Sequence, residues 1–477
     1  MFEMPYLSSR DAGKVTRAAY FDPSPDYVPN PGMGFVCYAH SDHMEICHGL
    51  GYPHSLYVYP DEKIIDKMTS LPFCDNIYLR VEWRDVQREA GKLALIPVWE
   101  QVVDLCREKN KTWSFRVMQT SEANKYEKNA PEFLLDKLEF VPYPASFEEG
   151  KTLYYTWYTE AFFQHWQEML GLLGARFDGD PRLAWADISG YGKWGEYHHE
   201  PQDYLDKPEH GAYIRRLTDM HMQAFPRTPA VGMCTPWWDD ETTAWRDPAK
   251  IYAFEKGAWG RRDSFWNQYS KWEYELSVKL RNAGRAYIFE TGSGPFRGHA
   301  APGVPVTANL THGQVYQRMC DFGATYVGLG FNPWEACAIH ERNYEDLERL
   351  SKRIGYRLRP AVVTMADSDN PRKFVNIALI NDGVANPPGE LTLKLAFCRG
   401  GAYEMALPAG FPEPGKMHYV DVELPSGFAA YGSGNYFTMS LELKTWGKTA
   451  PVEWAVKETP FNYDRANLKV LVPDAKK

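Results

Sequence analysis

Long apolar runs are missing: no stretch of the 477 residues reaches transmembrane length, so a membrane-spanning helix is not expected. A basic excess is missing too. Lys and Arg total 53 against 62 Asp and Glu, a formal net charge of −9, which argues against nucleic acid or an anionic membrane as the main partner. The eight cysteines are scattered, with no CxxC and no zinc-like spacing, and read as buried thiols instead of a disulfide framework. No HxH or HExxH pattern supplies convergent ligands, so neither a metal nor a cofactor is expected. Other chemistries lose their signatures as well. No GxGxxG opens a helix after the first strand, which weakens a dinucleotide fold, and "GSGPFRG" lacks the GK[ST] ending of a phosphate loop. No GxSxG elbow marks an α/β-hydrolase serine. The N-terminal "MFEMPYLSSRDAGK" has no basic segment leading into an apolar core, so no signal peptide is read; the expectation is a cytoplasmic chain or the trimmed form of a secreted one. No internal repeat at a period of about 20–50 residues is convincing.

What is present is ordinary in bulk and unusual in detail. Hydrophobic residues make up 44% and charged residues 24%, normal globular usage, and the length argues for two domains. Aromatics reach 15%, with 16 Trp, 30 Tyr and 24 Phe. Large aromatic cores account for part of this. Stacking platforms for sugar rings, whose apolar C–H faces pack on aromatic faces, are the functional reading, and composition alone does not apportion the two.

Short apolar runs alternate with amphipathic helical stretches over the first two thirds of the chain. Strands are expected at 32–39, 76–83, 112–119, 183–190, 229–235, 263–269, 286–292 and 325–331. Helices such as "PVWEQVVDLCREKN" (97–110) and "FFQHWQEMLGLLGARF" (162–177) fall between most of them. Eight strands alternating with helices predict a parallel (β/α)8 barrel, a TIM barrel, over residues 1–358. After "ERLSKRIGYRLRP" (347–360) the helices vanish. Alternating runs such as "KFVNIALIND", "ELTLKLAFC", "HYVDVEL", "NYFTMSLEL" and "VEWAVKE", separated by Pro- and Gly-rich turns, predict a small all-β, immunoglobulin-like sandwich over 359–477.

A barrel of this kind carries its active site at the C-terminal ends of its strands. The fourth expected strand leads into "YGKWGEYHHE" (191–200), where Glu196 is framed by aromatics and imidazoles. The seventh, "AYIFETG", ends on Glu290. Period-two alternation puts Ala286, Ile288 and Glu290 on one face and Tyr287 and Phe289 on the other. Two carboxyls facing each other across a cavity match glycoside hydrolysis, in which one is protonated to donate to the leaving oxygen and the other is ionised to attack or to activate water.

"NPGMGF" at strand one, "LRVEW" at strand two, "GYGKWGEYH" after strand four, "FETG" at strand seven and "FNPW" at strand eight together resemble the clan-A glycoside hydrolases, most nearly their barrel–sandwich members. The resemblance covers roughly residues 28–358. It implies Glu196 as acid/base and Glu290 as nucleophile of a retaining double displacement on β-linked glucan or galactan-type saccharides. It also implies that Arg80, on a strand face with Tyr78 and Glu82, steadies the nucleophile, and that Trp334 floors the sugar at the cleaved bond. A structural Arg80–Glu82 layer is the competing reading. Arg116 on strand three is a weaker counterpart of Arg80. Tyr38 and His40 at the end of strand one, and Asn267 at the end of strand six, stand where the clan has groups touching sugar or nucleophile. Of His198 and His199, at most one faces substrate, and His198 is taken. Trp237 and Trp238, beside Asp239 and Asp240, suit a saccharide subsite. One departure stands out: the clan places Asn before the acid/base glutamate, and here Gly195 stands there. "GYGKWGE" also resembles the Gly-rich approach to the acid glutamate of β-amylases, which are inverting barrels. Inversion with the same glutamate pair, or a catalytically silent carbohydrate-binding barrel, are the alternatives.

Overall fold

The structure, a computed structural model, describes residues 15–39, 60–120, 128–144, 152–197, 208–234, 248–263, 271–290, 312–330 and 332–474. Eight parallel strands close on themselves in chain order: Gly34–Tyr38, Asn76–Glu82, Thr112–Met118, Leu183–Asp187, Ala230–Met233, Trp259–Arg262, Tyr287–Phe289 and Tyr326–Gly328. The last pairs with the first, Tyr326 opposite Gly34 and Gly328 opposite Val36. Helices follow them, among them Pro97–Glu108, Glu160–Phe177, Lys271–Asn282 and Pro333–Ser351. This is a (β/α)8 barrel.

Alternation along the strands divides the apolar residues into two sets. Val36, Tyr38, Tyr78, Trp185, Val231, Trp259, Ala286, Ile288 and Tyr326 fill the barrel interior as one cluster. Their neighbours, such as Phe35, Leu79, Phe115, Tyr287 and Phe289, join the larger core beneath the helices. The helix Pro97–Glu108 shows why the outer layer holds: Val98, Trp99, Val102, Val103 and Cys106 form one buried stripe. Its Trp99 ring meets Trp113, Phe115 and Phe177 at centroid distances of 5.9, 5.2 and 5.9 Å. No helix among the described residues is long and apolar enough to cross a membrane.

The sixth strand differs from the expected 263–269. It is Trp259–Arg262, with Val231 opposite Trp259 on one side and Tyr287 opposite Gly260 on the other. Two adjacent arginines hid it. Arg262 points out of the barrel to Glu273 of the helix Lys271–Asn282, with Arg262 Nε 2.5 Å from Glu273 Oε1 and both side chains buried. Arg261 points in. A strand that buries cations on both faces has no apolar alternation to read.

Beyond Leu358 the chain forms two antiparallel sheets. One holds Val15–Tyr20, Leu358–Ala366, Phe374–Asn381 and Met417–Glu423; the other holds Glu390–Phe397, Ala402–Leu407, Tyr436–Thr445, Lys448–Val452 and Leu468–Leu471. Leu391, Leu393, Leu395, Met439 and Leu441 of the second share a core with Val363, Met365, Val375 and Ile377 of the first. The expected domain division therefore needs correction at its start. Val15–Tyr20 pairs antiparallel with Leu358–Ala366, covering what is otherwise an open sheet edge, and so belongs with the β-domain. "VEWAVKE" is corrected too: only Val452 lies in a strand, while Trp454 drops into the core and its indole N–H donates to the Met439 carbonyl at 3.1 Å.

The two parts meet at the barrel end away from the strand C-termini. Lys448 Nζ donates to the carbonyls of Asp180 and Leu183, at 2.7 and 2.9 Å, where the fourth barrel strand begins. Arg357 donates to the carbonyls of Ser24 and Asp26 at 3.1 and 2.9 Å.

Candidate active site

The fourth barrel strand ends on Asp187, and the segment after it turns back tightly enough to set Glu196 over the rim. Trp194 and Tyr197 take left-handed backbone conformations (φ 58° and 61°), as does Gly195 between them (φ 68°). Non-glycine residues in that region are uncommon and persist only where the surroundings over-determine them. Here they are pinned by hydrogen bonds. The Gly192 N–H donates to the Tyr158 hydroxyl at 2.9 Å, the Trp194 N–H to the Thr120 carbonyl at 2.8 Å, and the Tyr197 N–H to the Tyr191 carbonyl at 3.1 Å. Tyr191 stacks on Tyr158 with centroids 4.8 Å apart, and its hydroxyl meets His210 Nδ1 at 2.7 Å. Below the loop, His221 Nδ1–H donates to the Leu217 carbonyl at 2.7 Å, leaving Nε2 to accept from the Ser189 N–H at 3.3 Å. Burial lowers the His221 pKa to about 4, so this imidazole is neutral at pH 7.

The loop also explains Gly195, where the clan has Asn. A Cβ there would lie 2.9 Å from the Ser189 Cβ, on a backbone with positive φ. Glycine is what this turn admits.

Glu196 arrives among cations. Arg80, from the second strand, places Nη2 2.9 Å from Glu196 Oε1; Arg116, from the third, donates Nη1 to the same oxygen at 2.5 Å. Arg116 also holds Asp187 Oδ2 through Nε and Nη2, at 2.9 and 2.7 Å. Burial alone would pull the Arg116 pKa down, but Tyr78, Asp187 and Glu196 outweigh it and leave it raised. Burial likewise lifts the Tyr38 and Tyr78 phenols well above their ordinary value, which keeps both as donors. Tyr78 donates to Asp187 Oδ2.

Glu290 follows directly on the seventh strand, and its N–H donates to the Arg262 carbonyl at 2.9 Å, extending the ladder by one residue. Its Oε2 accepts from the Tyr38 hydroxyl at 2.9 Å and from Arg261, and lies 3.6 Å from Arg80 Nη1. Arg80 thus spans both glutamates. Arg261 Nε donates to Asp263 Oδ1 at 2.8 Å. Glu196, Asp263 and Glu290 each offer an oxygen within 4.8 Å of the others. A cation drawn by that cluster would face Arg80, Arg116 and Arg261, which already bond these carboxyls. Burial, then Glu196 and Glu290, push the Asp263 carboxyl well above the usual carboxylate range.

Four of the expected positions therefore meet at one rim: Glu196, Glu290, Arg80 and Tyr38. The Arg80–Glu82 layer is not what forms. Glu82 pairs with Arg84 at 2.9 Å, while Arg80 reaches the two glutamates. Trp334 is the second residue of the helix Pro333–Ser351, half-buried, behind the Asn332 cap whose Oδ1 accepts from the Glu335 N–H at 2.9 Å. His40, His198, Asn267, Trp237 and Trp238 lie outside the described residues. Sequence reasoning missed Asp187, Arg261 and Asp263 and underweighted Arg116. Asp187 shares strand parity with the interior Trp185, and Arg261 with the interior Trp259, so alternation held the signal once the strands were placed.

No family model matches the chain, and no curated protein matches it. Solved structures with a similar fold include the catalytic domain of a β-amylase from Paenibacillus polymyxa, 9% identical over 63% of this chain and 94% of that one (TM-score 0.40). A xylanase from Paenibacillus barcinonensis is 10% identical over 62% and 83% (TM-score 0.35). Endo-glycoceramidase II from Rhodococcus sp. is 12% identical over 88% and 100% (TM-score 0.38).

Proposed function

We propose that this protein is a glycoside hydrolase cleaving β-linked glucan or galactan-type saccharides by a retaining double displacement at Glu196 and Glu290. One observation carries the reading. The two side chains, 94 positions apart in the sequence (290 − 196), bring carboxylate oxygens within 4.8 Å of each other at the strand C-termini of a closed barrel. Double displacement needs the carboxyls about 5–5.5 Å apart, whereas inversion needs about 6.5–9.5 Å to admit a water. The retaining course is the one the clan-A resemblance implies.

In this reading Glu290 attacks the anomeric carbon. Tyr38 and Arg261 hold the attacking oxygen, and Arg80 spreads positive charge over both glutamates. Glu196 occupies the acid/base position that the clan-A resemblance implies. The sugar is a neutral polyol, so its hydroxyls suit the donors and acceptors of this rim and need no charge partner of their own.

The test is a screen of the purified chain on β-glucan, galactan and aryl β-glycosides, with Glu196→Ala and Glu290→Ala beside it. Each variant is expected to lose about 1,000-fold or more in turnover while its circular dichroism is unchanged. Near-wild-type turnover of either variant rejects the assignment. Binding of saccharide without product supports the silent barrel instead. Proton NMR of the first-formed anomer separates retention from inversion.

A further inference from the structure

The fourth barrel strand buries an acid that the glycosidase reading leaves without a task. Asp187 closes Leu183–Asp187 and pairs with Val231 of the next strand, so its backbone is fixed in the sheet, whereas Glu196 stands on the loop that follows. The Asp187 and Arg116 side chains are each only 1% exposed. Asp187 Oδ2 accepts from the Tyr78 hydroxyl and from Arg116 Nε at 2.9 Å, and lies 2.7 Å from Arg116 Nη2. Arg261 Nε is 4.0 Å from the same oxygen, and His221, which feels the Asp187 charge, is neutral at pH 7. These contacts fix how Arg116 is presented. A guanidinium is a planar fork of five donors. With its Nε–Nη2 edge closed on Asp187, Nη1 is turned to the loop, where it donates to Glu196 Oε1 at 2.5 Å and to the Trp194 carbonyl at 3.4 Å. Arg116 therefore ties a carboxyl on a rigid strand to a carboxyl on a loop. Arg80, also on Glu196 Oε1, leads instead to Glu290.

Resting on the glycosidase reading, we infer that Asp187 is a positioning residue for the acid/base group: through the Arg116 guanidinium it sets where the Glu196 carboxyl stands and how much of that cation's charge falls on it. The first effect is geometric. Without Asp187 the long Arg116 side chain regains rotamer freedom, and the carboxyl it grips moves with it. A misplacement of about 1 Å at a reacting group costs on the order of 100-fold in rate. The second effect is electrostatic. An acid/base group carries a proton while the glycosidic bond breaks and is ionised when water attacks. A cation beside a carboxyl favours its ionised form, and a second anion favours the protonated one. The cations facing Glu196 are Arg80 and Arg116, and the acids are Asp263 and Glu290, each with an oxygen within 4.8 Å. Arg261 stands behind those two acids, and Lys193 of the loop itself lies over the Trp194 ring. Asp187 offsets Arg116 from below the rim. Removing the Asp187 charge gives Arg116 to Glu196 alone, so Glu196 releases its proton at lower pH. Removing Arg116 does the reverse and leaves Asp187 nothing to act through.

The pH profile and leaving-group dependence test the assignment. Asp187→Asn, Arg116→Met and the double variant are assayed on the phenyl and 2,4-dinitrophenyl β-glycosides of glucose and galactose, with near-UV circular dichroism checking that each folds. The phenyl oxygen needs a proton to leave and the dinitrophenyl oxygen does not, so a disturbed acid shows as a difference between them. Asp187→Asn is expected to lose kcat/KM on the phenyl glycoside by about 10-fold or more beyond its loss on the dinitrophenyl one, through kcat and not KM. The alkaline limb of its kcat/KM profile is expected about one pH unit below that of the wild type, and the limb of Arg116→Met above it. The double variant is expected to share the limb of Arg116→Met, a comparison that still decides the matter if Asp187→Asn alone does not fold. Equal losses on both glycosides with an unmoved limb would show a merely structural Asp187 and overturn the inference while leaving the glycosidase reading in place. A double variant displaced from Arg116→Met as far as Asp187→Asn is from wild type would show that Asp187 acts without Arg116, and overturns it too. An alkaline limb that persists in Glu196→Gln rejects Glu196 as the acid. A wild type inert on every glycoside rejects the glycosidase reading and the inference together.

Discussion

Replacing Arg116 by methionine removes the cation that two buried acids share. The guanidinium is fully buried and holds Asp187 Oδ2 at 2.9 and 2.7 Å and Glu196 Oε1 at 2.5 Å. Methionine fills much of the volume, so the loss is electrostatic more than steric. Asp187 keeps the Tyr78 hydroxyl and a distant Arg261 Nε at 4.0 Å, and Glu196 keeps Arg80. Removing one partner of a buried ion pair costs about 3–5 kcal/mol. With two carboxylates losing the same partner, a loss near the upper end is expected. Guanidinium chloride unfolding followed by near-UV circular dichroism measures it, with an unchanged slope assigning the midpoint shift to stability. The double variant Arg116→Met/Asp187→Asn removes a stranded acid along with its partner. It is expected to lose less than the sum of the singles by about 1–3 kcal/mol. A loss of about 1 kcal/mol or less in Arg116→Met, the value of an exposed pair, refutes the claim that this cluster is desolvated.

Three further outcomes are expected. Gly195→Ala puts a Cβ 2.9 Å from the Ser189 Cβ on a backbone with φ 68°, so a loss of about 1–2 kcal/mol is expected together with a lower kcat as Glu196 shifts; unchanged stability and turnover would show that the loop is not so constrained. His221 has its folded pKa lowered to about 4 from 6.5, so the unfolded chain binds more protons between those values and stability is lost as pH falls through them, by up to about 3 kcal/mol; His221→Gln is expected to flatten that part of the pH–stability curve, and an equal slope in the variant would contradict it. Lys448 has its pKa pushed down to about 8 by burial, so its contribution has the same sign in a higher window: wild type gains stability relative to Lys448→Met as pH rises from about 8 toward 10.5, read from the difference between the two denaturation curves.

The chain announced its architecture through periodicity. Seven of the eight barrel strands sit where apolar runs placed them, because a strand buried on both faces is apolar nearly throughout, as "GFVCY" is. The sixth escaped because Arg261 and Arg262 bury their charges against partners far away in sequence, Glu290 and Glu273, and a composition rule sees only the charges. The N-terminal strand Val15–Tyr20 escaped for a related reason: its partner begins at Leu358, and no local signal records a pairing across the whole barrel.

The site divides the same way. Glu196 drew notice as a carboxyl framed by aromatics and imidazoles in the segment after strand four, and strand parity faces Glu290 into the barrel as a continuation of Ala286 and Ile288. What a linear text does not hold is distance. Only closure of the barrel brings Arg80, Arg116 and Arg261 from three strands onto the two glutamates.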